Sequence, residues 1–141
     1  MKRMSYFFFI ALAAVAIVSS TAFAHHSFSA EYDANKPLKL TGAVTKVEWT
    51  NPHAYFYIDV RDEKTGKVTN WAFEMGAPAV IQRSGWTRKT LTIGDVIIVE
   101  GSQAKNGTAH GNARTVTMAS TGQKLGAGSS QGQGPAAAVE P

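Results

Sequence analysis

No cysteine occurs anywhere in the 141 residues. That absence excludes a disulfide framework, thiolate metal sites, thiol nucleophiles and a lipid-modified amino-terminal cysteine, so a hydrophobic core must hold the fold together. Long apolar runs are also missing. The longest, from Tyr6 to Val18, falls short of the roughly 20 residues that span a bilayer. Several catalytic signatures are absent as well: no G-x-S-x-G nucleophile turn, no H-E-x-x-H zinc helix, and no phosphate-cradling glycine loop ending in Lys-Ser/Thr. Binding is therefore a stronger expectation than catalysis.

What is present begins with an export signal. Lys2 and Arg3 precede the apolar run, and Ala22-Phe23-Ala24 places small residues at the −3 and −1 positions of a signal-peptidase site. The expected signal peptide covers residues 1–24, and its removal leaves His25 first. The product is expected in the bacterial periplasm, or secreted, with no membrane insertion after cleavage. Lys2 and Arg3 are lost with the signal, so the 14 basic residues fall to 12 against 10 acidic ones, a net +2. That excess is too small to argue for nucleic acid as a partner. At the other end, residues 121–141 are rich in Gly, Ala, Ser, Gln and Pro and read as a disordered tail. Between lie an arm, residues 25–37, and one domain, residues 38–120.

The domain reads as mostly β. Leu38, Leu40 and Val44 share one parity while Val47 and Trp49 share the other, which predicts a bulge or sharp bend in a first strand over residues 38–49. Thr50-Asn51-Pro52-His53 is a turn, because proline lacks a ladder donor and restricts the residue before it. Alternation over residues 54–61, a loop containing Gly66 and a return over residues 68–74 predict a hairpin. Pro78 suits a first helical turn and Gly85 a helix stop, bracketing a short helix. Residues 96–101 are almost continuously apolar, which predicts a strand covered on both faces, and residues 113–118 supply the last strand. Three strands, a helix and two strands match an all-β fold with one short helix, the small five-stranded Greek-key barrel of the OB-fold.

His25-His26-Ser27-Phe28, Thr41-Gly42, Glu48-Trp49-Thr50-Asn51-Pro52-His53, Trp71, Gly85-Trp86 and Gly94-Asp95 together resemble an exported bacterial family catalogued as domain of unknown function 6152. The resemblance runs from about His25 to Met118. It implies an exported small β-barrel domain and brings no activity with it, so function has to come from the residues.

The four histidines of the chain are His25, His26, His53 and His110. His53 falls in the loop between the first two strands and His110 in the loop before the last. In an OB-fold those loops flank the ligand face, so these imidazoles are expected to converge, with the terminal pair in reach. A terminal His25 can chelate through its amine and its ring together. With a third nitrogen this gives a T-shaped histidine brace, which favours copper, the head of the divalent affinity series. His53 is the first choice for that third ligand, and His26 or His110 the second. Cleavage one residue earlier would place a histidine third and create an amide-nitrogen chelate instead, but Phe23 at −1 argues against it.

Competing readings exist for each residue: a solvated terminal pair, a solvated His110 in a glycine-flanked loop, and a His53 side chain that caps its own turn. Glu31 and Asp33 are possible oxygen ligands or a solvated acidic turn. Met75 and Met118 are possible soft ligands or core. A second functional class rests on Tyr55, Tyr57, Trp49 and Trp71, which an OB-fold would offer for stacking on a sugar or for contacting a periplasmic protein partner. The expectation carried forward is an exported binding domain for a transition metal, copper favoured, through His25, His26, His53 and His110.

Overall fold

The computed structural model describes residues 28–128. The signal segment and both terminal histidines therefore lie outside the described residues, as does most of the tail. A helical turn at residues 28–31 leads into β1 (Tyr32–Glu48), followed by β2 (Tyr55–Arg61), β3 (Val68–Glu74), a helix (Pro78–Arg83), β4 (Val96–Ala104), β5 (His110–Met118) and β6 (Lys124–Gly126). The protein is mostly β, with its six strands in one sheet and two short helical segments.

The strands lie in the order β3-β2-β1-β4-β5-β6, with neighbours antiparallel. One further pairing is parallel: Ala72, Phe73 and Glu74 of β3 against His110, Gly111 and Asn112 of β5. β1 reaches both halves of the sheet because it is 17 residues long. Residues 43–48 pair with β2 and the preceding stretch pairs with β4. The register slips between Val44 and Lys46, where the apolar parity changes, and the extra residue lets one strand feed the core from both segments.

The core gathers the inward positions of every long strand. Phe56, Ile58 and Phe73 are fully buried, as are Ile97, Val99 and Val116, and Phe56 stacks on Phe73 at 5.5 Å. The helix caps one side. Pro78 occupies its first turn, Pro78 and Ile81 are buried, and Gly85, at φ +93°, reverses the chain just beyond it.

Three expectations need correction. β4 is not covered on both faces: Val96 is 48% exposed while Ile97 and Val99 are buried, the alternation of a strand with one wet side. An apolar run does not distinguish the two cases when the outer side chains are themselves β-branched. The arm is also shorter than residues 25–37, since Tyr32 already pairs with Ala104 and Pro37 with Ser102. Between those two pairs the β1–β4 register shifts, and there Asn35 N donates to Asp33 Oδ1 at 2.9 Å. Finally, the segment read as the start of the tail contributes β6. Leu125 packs on the core, Trp86 Nε1 donates to the Gly126 carbonyl at 2.8 Å, and Ala127 is buried. One apolar residue and one distant indole anchor a segment whose composition is that of a linker.

Candidate functional site

At one end of the sheet, polar side chains collect around a single carboxylate. Glu74 closes β3 between two core residues, Phe73 and Met75, and is only 7% exposed. A buried carboxylate is costly unless hydrogen-bonded or paired, and this one has donors on both oxygens. Tyr32 Oη donates to Oε2 at 2.7 Å and Tyr55 Oη to the same atom at 3.2 Å, while His53 Nδ1 lies 2.5 Å from Oε1.

Each partner arrives from a different element. Tyr55 is the cross-strand neighbour of Glu74 in the β2–β3 ladder, so both side chains leave the same face. His53 sits one residue before Ala54, whose N–H and carbonyl bond to Gly76 and Met75 and hold the loop against the end of β3. The Asn51-Pro52 bond in that loop is cis. Thr50 Oγ1 donates to the His53 carbonyl at 3.0 Å, so the threonine closes the turn and the imidazole is free to face Glu74. Tyr32 opens β1, is 2% exposed, and stacks on Phe28 of the preceding helical turn at 5.6 Å.

His110, expected in the loop before the last strand, instead opens β5 and pairs within the sheet. The parallel β3–β5 contact puts it beside Ala72 and puts Asn112, on the same face two residues on, beside Glu74. Its Nε2 is 3.2 Å from Tyr32 Oη and its Nδ1 is 3.8 Å from Glu31 Oε1. One ligand atom each from Glu31, Glu74 and His110 lies within 4.8 Å of the others. Asn112 is 1% exposed, and its Oδ1 accepts no hydrogen bond from any described residue.

The electrostatics follow from burial beside these carboxylates. Burial first, then the charge of Glu74, pushes the Tyr55 phenol up to about 12. Tyr32 is driven further in the same direction, by burial and then by its hydrogen bond to Glu74. Both phenols are therefore neutral donors at physiological pH.

Of the expected metal residues, the structure brings His53 and His110 together around Glu74, and His25 and His26 lie outside the described residues. Glu31 joins the cluster, whereas Asp33 Oδ1 accepts from the Asn35 N–H within β1. Met75 is buried in the core and Met118 packs against it. The four aromatics considered for stacking do not share a platform. Tyr55 belongs to the Glu74 cluster, Tyr57 donates to Glu48 Oε2 at 2.9 Å, Trp71 stacks on Phe73 at 6.0 Å, and Arg88 lies over Trp49 at 5.9 Å. Tyr57 and Trp71 stand on opposite faces, since they pair with Ala72 and Ile58 in successive rungs.

Sequence reasoning missed Glu74 and Tyr32. The available signal was the acid wedged between Phe73 and Met75, because a charge inside an apolar run is seldom buried without partners.

Among the described residues, no helix is long and apolar enough to cross a membrane. The model of a family of unknown function, DUF6152, matches residues 13–114. The chain belongs to that family. No curated protein and no solved structure matches it.

Proposed function

We propose that this member of the family is an exported, periplasmic metal-binding domain, copper favoured, whose site is the cluster around Glu74 completed by the mature amino terminus. The observation that carries the reading is the gathering of Glu31, His53 and His110 around the buried Glu74 carboxylate, with one atom each of Glu31, Glu74 and His110 within 4.8 Å of the others and His53 on the far oxygen. Imidazole and carboxylate donors suit a first-row transition ion, and copper heads the affinity order for such sets. The buried Asn112 Oδ1, unpaired in the strand position opposite Glu74, adds a second sign that a donor or cation belongs there.

Chain length supports a place for the amino terminus in the site. Three peptide links separate His25 from Phe28, so their Cα atoms lie within about 11 Å of each other, and Phe28 already stacks on Tyr32 in the site. An amine and imidazole from His25 would supply the chelate, with His53 or His110 as the third nitrogen.

The scaffold we propose is an OB-fold barrel. Its support is the ring of pairings β1-β2-β3-β5-β4-β1, closed by the parallel β3–β5 contact, with a helix between β3 and β4. β6 would be an addition at the edge of β5.

Calorimetric titration with Cu(II) tests the function. Protein beginning at His25 is compared with protein retaining Ala24 and with His110→Ala. The expected result is saturable one-to-one binding, weakened at least tenfold by the extra residue and by the substitution. Binding that is indifferent to the extra residue removes His25 from the site, and no binding by any form overturns the proposal.

A further inference from the structure

We infer that Glu74 is a positioning residue for the proposed metal site rather than a ligand: it fixes the tautomers of His53 and His110, leaving the lone pair of His53 on Nε2 and that of His110 on Nδ1. The inference rests on the metal-binding reading and deepens it. It follows from counting protons.

A carboxylate only accepts hydrogen bonds. The 2.5 Å contact between His53 Nδ1 and Glu74 Oε1 therefore requires a proton on Nδ1, and the neutral ring is left with its lone pair on Nε2. Tyr32 has one phenolic proton, and it is spent on Glu74 Oε2 at 2.7 Å. Its contact with His110 Nε2 at 3.2 Å must then run the other way, with Nε2–H donating to the phenol oxygen. His110 is left with its lone pair on Nδ1, the atom that faces Glu31 Oε1 at 3.8 Å.

Three donors thus occupy Glu74: His53 on one oxygen, Tyr32 and Tyr55 on the other. Of about four lone-pair positions on a carboxylate, one remains. A carboxylate that receives a histidine N–H and so aims the opposite ring nitrogen is the usual outer partner of a metal-bound imidazole. Here one carboxylate does this for two imidazoles, directly for His53 and through Tyr32 for His110. Around that carboxylate, His110, 26% exposed, lies beside Glu31, 53% exposed, while His53, 41% exposed, stands on the other oxygen of Glu74.

The test uses the exported protein labelled with nitrogen-15, first without metal, at a pH where the imidazoles are neutral. Long-range nitrogen–carbon-bound-proton spectra distinguish the two tautomers of each ring. His53 is expected with its proton on Nδ1, the less common form of free histidine, and His110 with its proton on Nε2. A His53 ring protonated on Nε2 overturns the inference.

The second part titrates the same protein with Zn(II), which leaves the spectra readable. His53 Nε2 and His110 Nδ1 should move on binding while the two N–H protons persist. Glu74→Gln keeps the shape and should weaken zinc by about 10 to 100-fold, the usual loss for an outer partner. If it abolishes binding as fully as His53→Ala and His110→Ala combined, Glu74 is a ligand and the inference fails while the metal reading stands. If wild-type protein binds neither zinc nor copper, the metal reading fails and takes the ligand roles with it, while the metal-free spectra still decide the hydrogen-bond assignment.

Discussion

Replacing Gly111 by alanine adds one methyl group at the point where β3 meets β5, and its effect can be worked out from the packing there. A Cβ at this position would lie 2.7 Å from Phe73 Cε1 and 3.1 Å from Leu38 Cδ1. The first distance is below any relaxed contact, so something must shift. Phe73 has nowhere to go: it is fully buried, stacked on Phe56 at 5.5 Å and on Trp71 at 6.0 Å. The backbone at Gly111 is not left-handed, so alanine brings no dihedral strain and the cost is steric. Overpacking of a dense core costs about 1–3 kcal/mol, offset by about 0.4–1 kcal/mol from the less flexible unfolded chain. A net loss of about 1–2 kcal/mol lowers the melting temperature by about 4–16 °C for a domain near 100 residues. Urea denaturation followed by circular dichroism should show a lower midpoint with an unchanged slope. Phe73→Leu removes the opposing ring edge, so the double variant should lose less than the sum of the two single losses. An unchanged midpoint in Gly111→Ala, or strict additivity in the cycle, refutes this account of the β3–β5 contact.

Two further expectations concern titration. Glu100 accepts from Thr115 Oγ1 at 2.9 Å and lies 3.0 Å from Lys124 Nζ and 3.5 Å from Lys39 Nζ, and these contacts, Lys124 foremost, hold its carboxyl at about 2. A folded-state value depressed in this way stabilises the protein above the ordinary carboxylate range, and the benefit fades as pH falls through that range toward 2. The stability gap between wild type and Glu100→Gln should therefore shrink between neutral pH and pH 2.5 and narrow in high salt; a gap independent of pH refutes it. Tyr32, Tyr55 and Tyr57 are all raised, the first two chiefly by burial and Tyr57 chiefly by its bond to Glu48. Absorbance at the phenolate wavelength in protein beginning at His25 should thus rise later than that of free tyrosine, with Tyr55 and Tyr32 ionising after Tyr57, whereas three tyrosines titrating together at the ordinary value contradict the cluster.

Much of the strand order was legible because local chemistry wrote it: the parity change around Thr45, the hairpin around Gly66, and the Pro78 and Gly85 brackets of the helix. β6 was illegible because its anchors, the Trp86 indole and the edge of β5, are distant in sequence. The wet face of β4 was hidden because Val96 and Ile98 are apolar whether they face solvent or core. For the site, the approach of His53 and His110 was readable from the order of the elements, although His110 stands at the start of β5 and not in the loop before it. Their common partner was not, since the contacts that define it join Tyr32 to Glu74 across 42 positions and Tyr32 to His110 across 78. Periodicity reports which face a residue takes; it does not report which strand ends will touch.

The same contact that closes the sheet also assembles the site. Phe73 and Gly111 face each other across the parallel β3–β5 pairing, and the next rung sets Glu74 beside Asn112. A fold selected only for stability would put an apolar side chain at position 74, because replacing buried charge with packed hydrophobic groups is often neutral or stabilising. The chain instead keeps a carboxylate between Phe73 and Met75 and commits two tyrosines and a histidine to satisfying it. Removing any one of those donors leaves the charge short of a partner at about 1.5–3 kcal/mol, so the cluster is costly to keep and costly to break. That combination is what a preorganised binding site requires. Loosening the β3–β5 contact at Gly111, where an added methyl meets Phe73 and Leu38 and no proposed ligand, should therefore also weaken copper binding, because it moves the adjoining His110 relative to Glu74. Unaltered copper affinity in a Gly111→Ala protein that is measurably destabilised would separate fold closure from site assembly and refute this coupling.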